Sequence, residues 1–191
     1  PGVRALDDVS FAVMPGEVHA LMGENGAGKS TLMKVLGGIY QPDSGAIYMG
    51  DAQVVMSGPL EAKAKGIVFI HQELSLATEL SVAENIYLGE LPRKRFGRVD
   101  WKRLAEQTNA ILQKLNVRFD ADTRVGDLSI ANQQMVEIAR ALTHEAKAVI
   151  FDEPTASLTD AEKVVLFDVI ADLKRDGVGI IYISHRMEEI F

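Results

Sequence analysis

The stretch Gly23-Glu24-Asn25-Gly26-Ala27-Gly28-Lys29-Ser30 constrains this chain more than any other feature. It is a complete G-x-x-x-x-G-K-[ST] motif. It lies between an apolar run, Val18–Met22, and a helical pattern from Thr31 to Leu36. Strand, glycine loop and helix in that order give the motif its meaning. Glycines let the backbone curl so that successive N–H groups face inward at a helix N-terminus. Unpaired donors and the helix dipole there favour an anion. The reading predicts a phosphate-binding loop made of Gly23, Glu24, Asn25, Gly26, Ala27, Gly28, Lys29, Ser30 and Thr31. In it Lys29 reaches the β/γ-phosphates, Ser30 ligates Mg²⁺, and Thr31 supports the α/β-phosphates.

A loop of this kind needs a sheet to carry it. Four short apolar runs read as buried strands: Val18–Met22, Ile67–Ile70, Ala148–Phe151 and Ile180–Ile183. They show little alternation, as expected of strands covered on both faces. Helical faces separate them. Leu104, Thr108, Ile111, Leu112 and Leu115 share one face after Asp100. Met135, Ile138, Ala139 and Leu142 share another after Ser129, and Leu166, Val169, Ile170 and Leu173 a third. Thr159 to Glu162 and Ser81 to Glu84 read as capping boxes, and Gly177 closes the last helix. Strands alternating with helices predict an α/β fold with a mostly parallel sheet.

The spacing is uneven. Residues 71–147 are far more chain than one crossover needs, so a helical insert is expected at about 73–145. The core is then 1–72 and 146–191. Short strands at Ala46–Met49 and Gln53–Met56, with Val9–Met14, predict a small antiparallel layer. The basic cluster Leu91–Arg98 reads as a solvated loop. Trp101 and the seven methionines suggest no function and read mostly as core.

Strand ends supply the remaining chemistry. Ala148–Phe151 runs into Asp152 and Glu153. A carboxylate at the end of a parallel strand beside a phosphate loop suits the Mg²⁺ shell, which is the role expected of Asp152. Glu153 is then placed to polarise an attacking water. Gln72 follows the strand Ile67–Ile70, where its amide would touch Mg²⁺ and the water. His185 follows Ile180–Ile183, where an imidazole would bond a γ-phosphate oxygen.

Composition narrows the classes. At 191 residues, with 47% hydrophobic and 25% charged residues, the chain suits one globular domain with an inserted lobe. A net charge of −7 argues against general nucleic-acid binding. The absence of cysteine excludes disulfides, thiolate zinc sites and a thiol nucleophile. No run approaches the roughly 18 apolar residues of a membrane span. The chain starts at Pro1 without Met and ends at Phe191 in a helical run, so it reads as a segment of a longer protein.

Together these residues resemble the ATP-binding cassette (ABC) family. The glycine loop, Gln72, a signature-like Leu128-Ser129-Ile130-Ala131-Asn132-Gln133-Gln134, the Asp152-Glu153 pair, a D-loop-like Ala156-Ser157-Leu158-Thr159 and His185 occur in family order. The likeness covers essentially the whole chain. It is narrowest to the first cassette of bacterial ribose/galactose/xylose-type sugar importers, through His71–Leu74, Ala83–Gly89, Gln133–Ala139 and Tyr182–Met187.

The resemblance implies a P-loop NTPase fold: a RecA-like, mostly parallel sheet with flanking helices, a small antiparallel layer and a helical subdomain. It implies an ATPase that energises monosaccharide import from the cytoplasmic face of the bacterial inner membrane, with ATP and Mg²⁺ bound. A second cassette and a membrane permease are the implied partners, with a periplasmic sugar-binding protein acting indirectly. Two cassettes would close head-to-tail, with Ser129, Ile130, Ala131, Asn132 and Gln133 facing the partner cassette's nucleotide. The segment after Gln72 would be the hinge that passes motion to the permease.

Some positions depart from the family pattern. Ile130 and Ala131 replace two glycines where backbone must approach phosphate, and a Cβ at each should hinder that approach. Thr159 stands where the D-loop has aspartate. With the second cassette of this subfamily altered in the opposite sense, one competent ATP site per transporter is expected. An adenine-stacking aromatic would lie upstream of Pro1, so the segment alone is expected to bind nucleotide about tenfold more weakly. The alternative is a soluble ABC ATPase of translation or repair, which salt-sensitive RNA or DNA binding would favour. A module that binds nucleotide without hydrolysis is the third reading, and the presence of Glu153 argues against it.

Overall fold

The computed structural model describes residues 4–24, 26–71, 74–143, 146–156 and 158–185. The chain divides into two compact units. One comprises residues 1–69, 146–153 and 172–191, and the other 70–145 and 154–171.

The first unit is built on a sheet. Its strands are β1 (Val18–Met22), β4 (Ile67–Ile70), β5 (Ala148–Asp152) and β6 (Gly179–Ser184), in the order β1-β6-β5-β4. β6 runs parallel to both neighbours, with Met22 opposite Ser184 and Asp152 opposite Ile183. Every residue of β6 is buried, as are Val149, Ile150 and Phe151 of β5. That is why their sequences are unbroken apolar runs. β1 pairs with β6 alone among the described strands and stands at the sheet edge, so Val18 is exposed rather than covered on both faces.

Helix α1 (Lys29–Leu36) follows β1 and places Met33 in the core with Ile150, Ile181 and Ile183. The antiparallel layer is the hairpin β2 (Ile47–Met49) and β3 (Ala52–Val54), with Gly50 at φ +61° in its two-residue turn. Val9–Met14 is not a strand. Phe11 and Val13 do pack against the core, but the segment has no ladder partner among the described residues. Its end is held locally instead, the Glu17 carboxylate accepting the Met14 N–H at 2.7 Å. A short helix, α2 (Pro59–Ala64), precedes β4.

The second unit is helical: α3 (Val82–Ile86), α4 (Trp101–Lys114) and α5 (Ile130–Ala141). Each is started by a side chain. Ser81 and Glu84 form a full capping box on α3. Asp100 caps α4 by accepting the Arg103 N–H, and Ser129 caps α5 by accepting the Asn132 N–H, both at 3.3 Å. Leu104, Thr108 and Leu112 are buried along one face of α4. Trp101 is not core: it is the first residue of α4 and 58% exposed, although its spacing to Leu104 and Thr108 puts it on the same side of the helix. Arg93–Gly97 is an exposed turn, with the Arg93 guanidinium donating to the Gly97 carbonyl at 2.9 Å.

Helix α6 (Asp160–Arg175) opens with the Glu162 carboxylate accepting both the N–H and the hydroxyl of Thr159 at 2.8 Å. It ends in a Schellman motif. The Val178 N–H reaches the Leu173 carbonyl and the Gly177 N–H the Lys174 carbonyl, with Gly177 at φ +82°.

Candidate functional site

Three neighbouring parallel strands of the first unit end on the same side, and each end carries a residue singled out by sequence. The glycine loop leaves β1, His185 leaves β6, and Asp152-Glu153 ends β5. With strands about 4.8 Å apart, the loop and the carboxylates are separated by roughly 10 Å.

The loop has the backbone its sequence calls for. Gly26 has φ +86° and Gly28 φ +92°, a region that side chains disfavour. Gly28 is the N-cap of α1 and lends it no side-chain cap, and the first turn holds no acidic residue. The first N–H groups of α1 are therefore left for an anion. Gly28 also needs its small size, since a Cβ there would sit 2.6 Å from the Ala5 carbonyl oxygen. The Lys29 ammonium curls over the loop, donating to the carbonyls of Gly23 at 2.5 Å and Glu24 at 3.0 Å. Glu24, Gly26, Ala27 and Ser30 are exposed, and Gly23, Gly28, Lys29 and Thr31 are half-buried. Asn25 lies outside the described residues.

Across the sheet, Glu153 takes a left-handed backbone at φ +47°. For a residue with a side chain this costs of order 1–3 kcal/mol and persists only where the surroundings enforce it. Two contacts enforce it here. The Glu153 N–H donates to the Ile183 carbonyl at 3.0 Å, and Glu153 Oε1 lies 2.8 Å from His185 Nδ1. The carboxylate is thereby turned to the end of β6, its side chain 18% exposed. Asp152 is half-buried beside it. Sequence placed Glu153 and His185 at separate tasks; their mutual hydrogen bond was not foreseen, because it depends on the β5–β6 register.

Mg²⁺ is tested by the donor set. It takes oxygen ligands, keeps several waters, and uses one or two carboxylates plus substrate phosphates. An exposed Ser30 hydroxyl and the Asp152 carboxylate are oxygen donors of that kind, and no cage of three acidic or histidine side chains is needed. None occurs among the described residues.

In the second unit, Ser129 is exposed at the start of α5, and Gln133 Nε2 donates to the Leu128 carbonyl at 3.0 Å. Ile130 is 50% exposed, whereas Ala131 is buried at 5% and Asn132 and Gln133 are half-buried. The methyl of Ala131 thus points into its own unit. Gln72 and Ser157 lie outside the described residues, as does Arg186-Met187. Leu158 is buried, and Thr159 is occupied in capping α6.

Two side chains in this unit were missed by sequence reasoning. Asn85, fully buried, exchanges hydrogen bonds with the backbone of Ala77. Glu137 on α5 accepts the Ser75 N–H at 2.7 Å. Both lay inside segments that carried the family likeness. Their spacing gave no hint of the partner.

Comparison with known proteins gives concordant matches. Residues 6–156 match the family model described as ABC transporter. Over all 191 residues the chain is 55% identical to a ribose import ATP-binding protein of Rubrobacter xylanophilus. It is 51% identical to a ribose/galactose/methyl galactoside import ATP-binding protein, named as putative, of Agrobacterium fabrum. It spans 37% of the length of each of these relatives. Among solved structures, an ATP-binding cassette of an ABC transporter in its ADP conformation superposes with a TM-score of 0.85 at 31% identity. That match covers 97% of this chain and 77% of the other. A nucleotide-free cassette gives 0.84 at 30% identity with the same coverage. Fold, loop geometry and sequence agree: the chain belongs to the ABC transporter family.

Proposed function

We propose that this chain binds and hydrolyses ATP to energise import of a monosaccharide, as one cassette of a longer ATP-binding protein. The observation that carries the reading is the uncapped N-terminus of α1 behind Gly26 and Gly28, on the same sheet edge as the Glu153–His185 pair. The first feature suits phosphate binding. The second suits activation of a water, since a general base must be held in one orientation to act.

The roles follow from chemistry. Backbone N–H groups of Gly26 to Thr31 cradle the phosphates, and Lys29 exchanges its loop carbonyls for phosphate oxygens. Ser30, Asp152 and Gln72 hold Mg²⁺, which when bound neutralises phosphate charge. Glu153 polarises the attacking water. His185 donates to Glu153 or to a γ-phosphate oxygen. Ser129 to Gln133 contact the nucleotide of a second cassette. Ser129 Oγ accepts the Asn132 N–H as a cap and keeps its own O–H free to donate to phosphate.

Sugar import, rather than another task of the family, is supported by the names of the relatives that match the whole chain. A membrane permease is then the partner that binds this cassette, at the cytoplasmic face of the inner membrane, with a periplasmic sugar-binding protein acting through that permease. No helix among the described residues is long and apolar enough to cross a membrane, which suits peripheral attachment.

The test is Mg-ATP hydrolysis by the full-length protein with its permease, with and without sugar-loaded binding protein. ATP turnover raised by the loaded binding protein and abolished by Glu153→Gln, with ATP still bound, is the expected result. Turnover unchanged in Glu153→Gln would remove the catalytic assignment. Stimulation by RNA or DNA instead would favour the translation or repair class.

A further inference from the structure

The segment after Gln72 forms no ladder and no helix from Leu74 to Ala77. Side chains from two helices hold it instead. From α5, Glu137 Oε1 accepts the Ser75 N–H at 2.7 Å, and the Arg140 guanidinium donates to the Ser75 carbonyl at 3.3 Å. From α3, Asn85 accepts the Ala77 N–H at 2.8 Å and donates to the Ala77 carbonyl at 3.0 Å. Both backbone groups of Ser75 and both of Ala77 are thus engaged by side chains of two helices, which pins an otherwise irregular segment in one conformation.

Glu137 is the unusual member. Its Oε2 is buried and has no hydrogen-bond partner among the described residues. Burial pushes its carboxyl above the usual carboxylate range, against the opposing pull of the Ser75 N–H, His71 and Arg140. A half-buried carboxyl with one oxygen shut off from solvent is a costly way to fill space that an apolar side chain would fill without penalty. It touches the chain on both sides of Gln72, by hydrogen bond to Ser75 and electrostatically to His71. It also sits two turns along the helix whose first residues are the signature.

We propose that Glu137 is a positioning residue that yokes the segment carrying Gln72 to the helix carrying Ser129. Ser129 and Glu137 are eight residues apart, about 12 Å of helix rise. A continuous helix with a hydrogen bond at one end and the signature at the other is a physical connection between them, with no flexible linker in the path. A displacement of α5 as the signature engages nucleotide would then carry Ser75. The proposal rests on the ATPase reading above. It adds to that reading a named side chain through which two parts of the catalytic machinery are kept in register.

The experiment compares Glu137→Ala and Glu137→Gln in the full-length protein with its permease. It measures ATP kcat and KM, and hydrogen exchange at the Ser75 amide. Gln keeps an acceptor for the Ser75 N–H; Ala does not. Expected for Ala is a kcat lowered about tenfold with KM within about twofold, since binding through the glycine loop is untouched. Expected for Gln is a kcat within about threefold of the unmodified protein. Ser75 exchange should accelerate in Ala alone. A normal kcat in Ala, an equal fall in both variants, or unchanged Ser75 exchange in Ala would overturn the proposal. If the unmodified protein turns over no ATP, the functional reading fails by itself, and Ser75 exchange in the two variants still decides whether Glu137 holds the segment. Should Ala not fold, Gln remains decisive: a tenfold fall there with Ser75 still protected refutes positioning through that bond.

Discussion

Gly26 and Gly28 are two residues apart in one loop, and replacing each with alanine should separate two costs. Both have left-handed backbones, φ +86° and +92°. Forcing an L-residue there costs about 1–2 kcal/mol in either case. Their surroundings differ. A Cβ at Gly26 meets nothing within 4 Å, whereas at Gly28 it would lie 2.6 Å from the Ala5 carbonyl oxygen and 3.1 Å from Leu6 Cδ2. The first of these is backbone and cannot swing away, so Gly28→Ala adds an overpacking cost of about 1–3 kcal/mol. The expected loss of stability is therefore about 1–2 kcal/mol for Gly26→Ala and about 2–5 kcal/mol for Gly28→Ala. Urea denaturation reads this from the midpoints, provided the slopes agree. The same shift should reach ligand binding. Gly28 is the N-cap of α1, so moving it misdirects the N–H groups that would face phosphate, and a misfit of about 1.4 kcal/mol is tenfold in ATP affinity. ATP titration should then show a loss of about tenfold or more for Gly28→Ala and a smaller one for Gly26→Ala. Equal losses in the two variants, or a larger loss at Gly26, would refute the reasoning from space.

Three further outcomes are expected. Ser81→Ala removes the α3 capping box and should cost about 0.5–2 kcal/mol. The Ser81 hydroxyl and N–H hold the Glu84 carboxyl below its ordinary value, so this stability is present above pH 4.5 and fades as pH falls through the folded value. A scan of Tm against pH should show Ser81→Ala losing its deficit in acid. Glu137 has the opposite sign: its carboxyl is raised by burial, so the folded protein holds the proton more tightly and stability falls as pH rises from 4.5 through the folded value. The Tm of Glu137→Gln relative to the unmodified protein should rise over that window, and a flat difference would contradict the burial argument. Leu104, 1% exposed on α4, should lose about 2–5 kcal/mol on Leu104→Ala by chemical denaturation.

How much was legible follows from what each feature depends on. Strands β4, β5 and β6 were visible because a strand buried on both faces must be apolar without interruption; the sequence runs fell short only at Asp152, Gly179 and Ser184, where pairing continues beyond the apolar residues. The Ser81–Glu84 box was visible because both partners lie within four residues. Val9–Met14 misled because a short apolar run is silent on whether a neighbouring strand exists. Trp101 misled because composition and spacing register it as apolar and in phase with Leu104 and Thr108, and neither tells that the first turn of α4 is left exposed. The Glu153–His185 bond spans 32 residues and the Glu137–Ser75 bond 62. Neither has any local pattern, so only the assembled strands and helices bring them together.

The same distinction changes the meaning of the departures in the proposed signature. In sequence, Ile130 and Ala131 look like two equal obstacles where glycine would let backbone meet phosphate. In the fold they are unequal. Ala131 is 5% exposed and lies on the buried face of α5 with Met135, Val136 and Ile138, so its methyl is directed into the unit and adds to the core. Ile130 is the first residue of α5, 50% exposed, beside the Ser129 hydroxyl and the first free N–H groups of the helix. Whatever steric cost the departure imposes on a nucleotide presented to this end of the helix is therefore concentrated in one side chain. The Ser129 cap is intact despite both changes, its hydroxyl accepting the Asn132 N–H at 3.3 Å. The helix start is thus preserved as a structural element while its approach is narrowed. On the role proposed for Ser129 to Gln133, this is an end altered in what it would admit and left sound in how it folds.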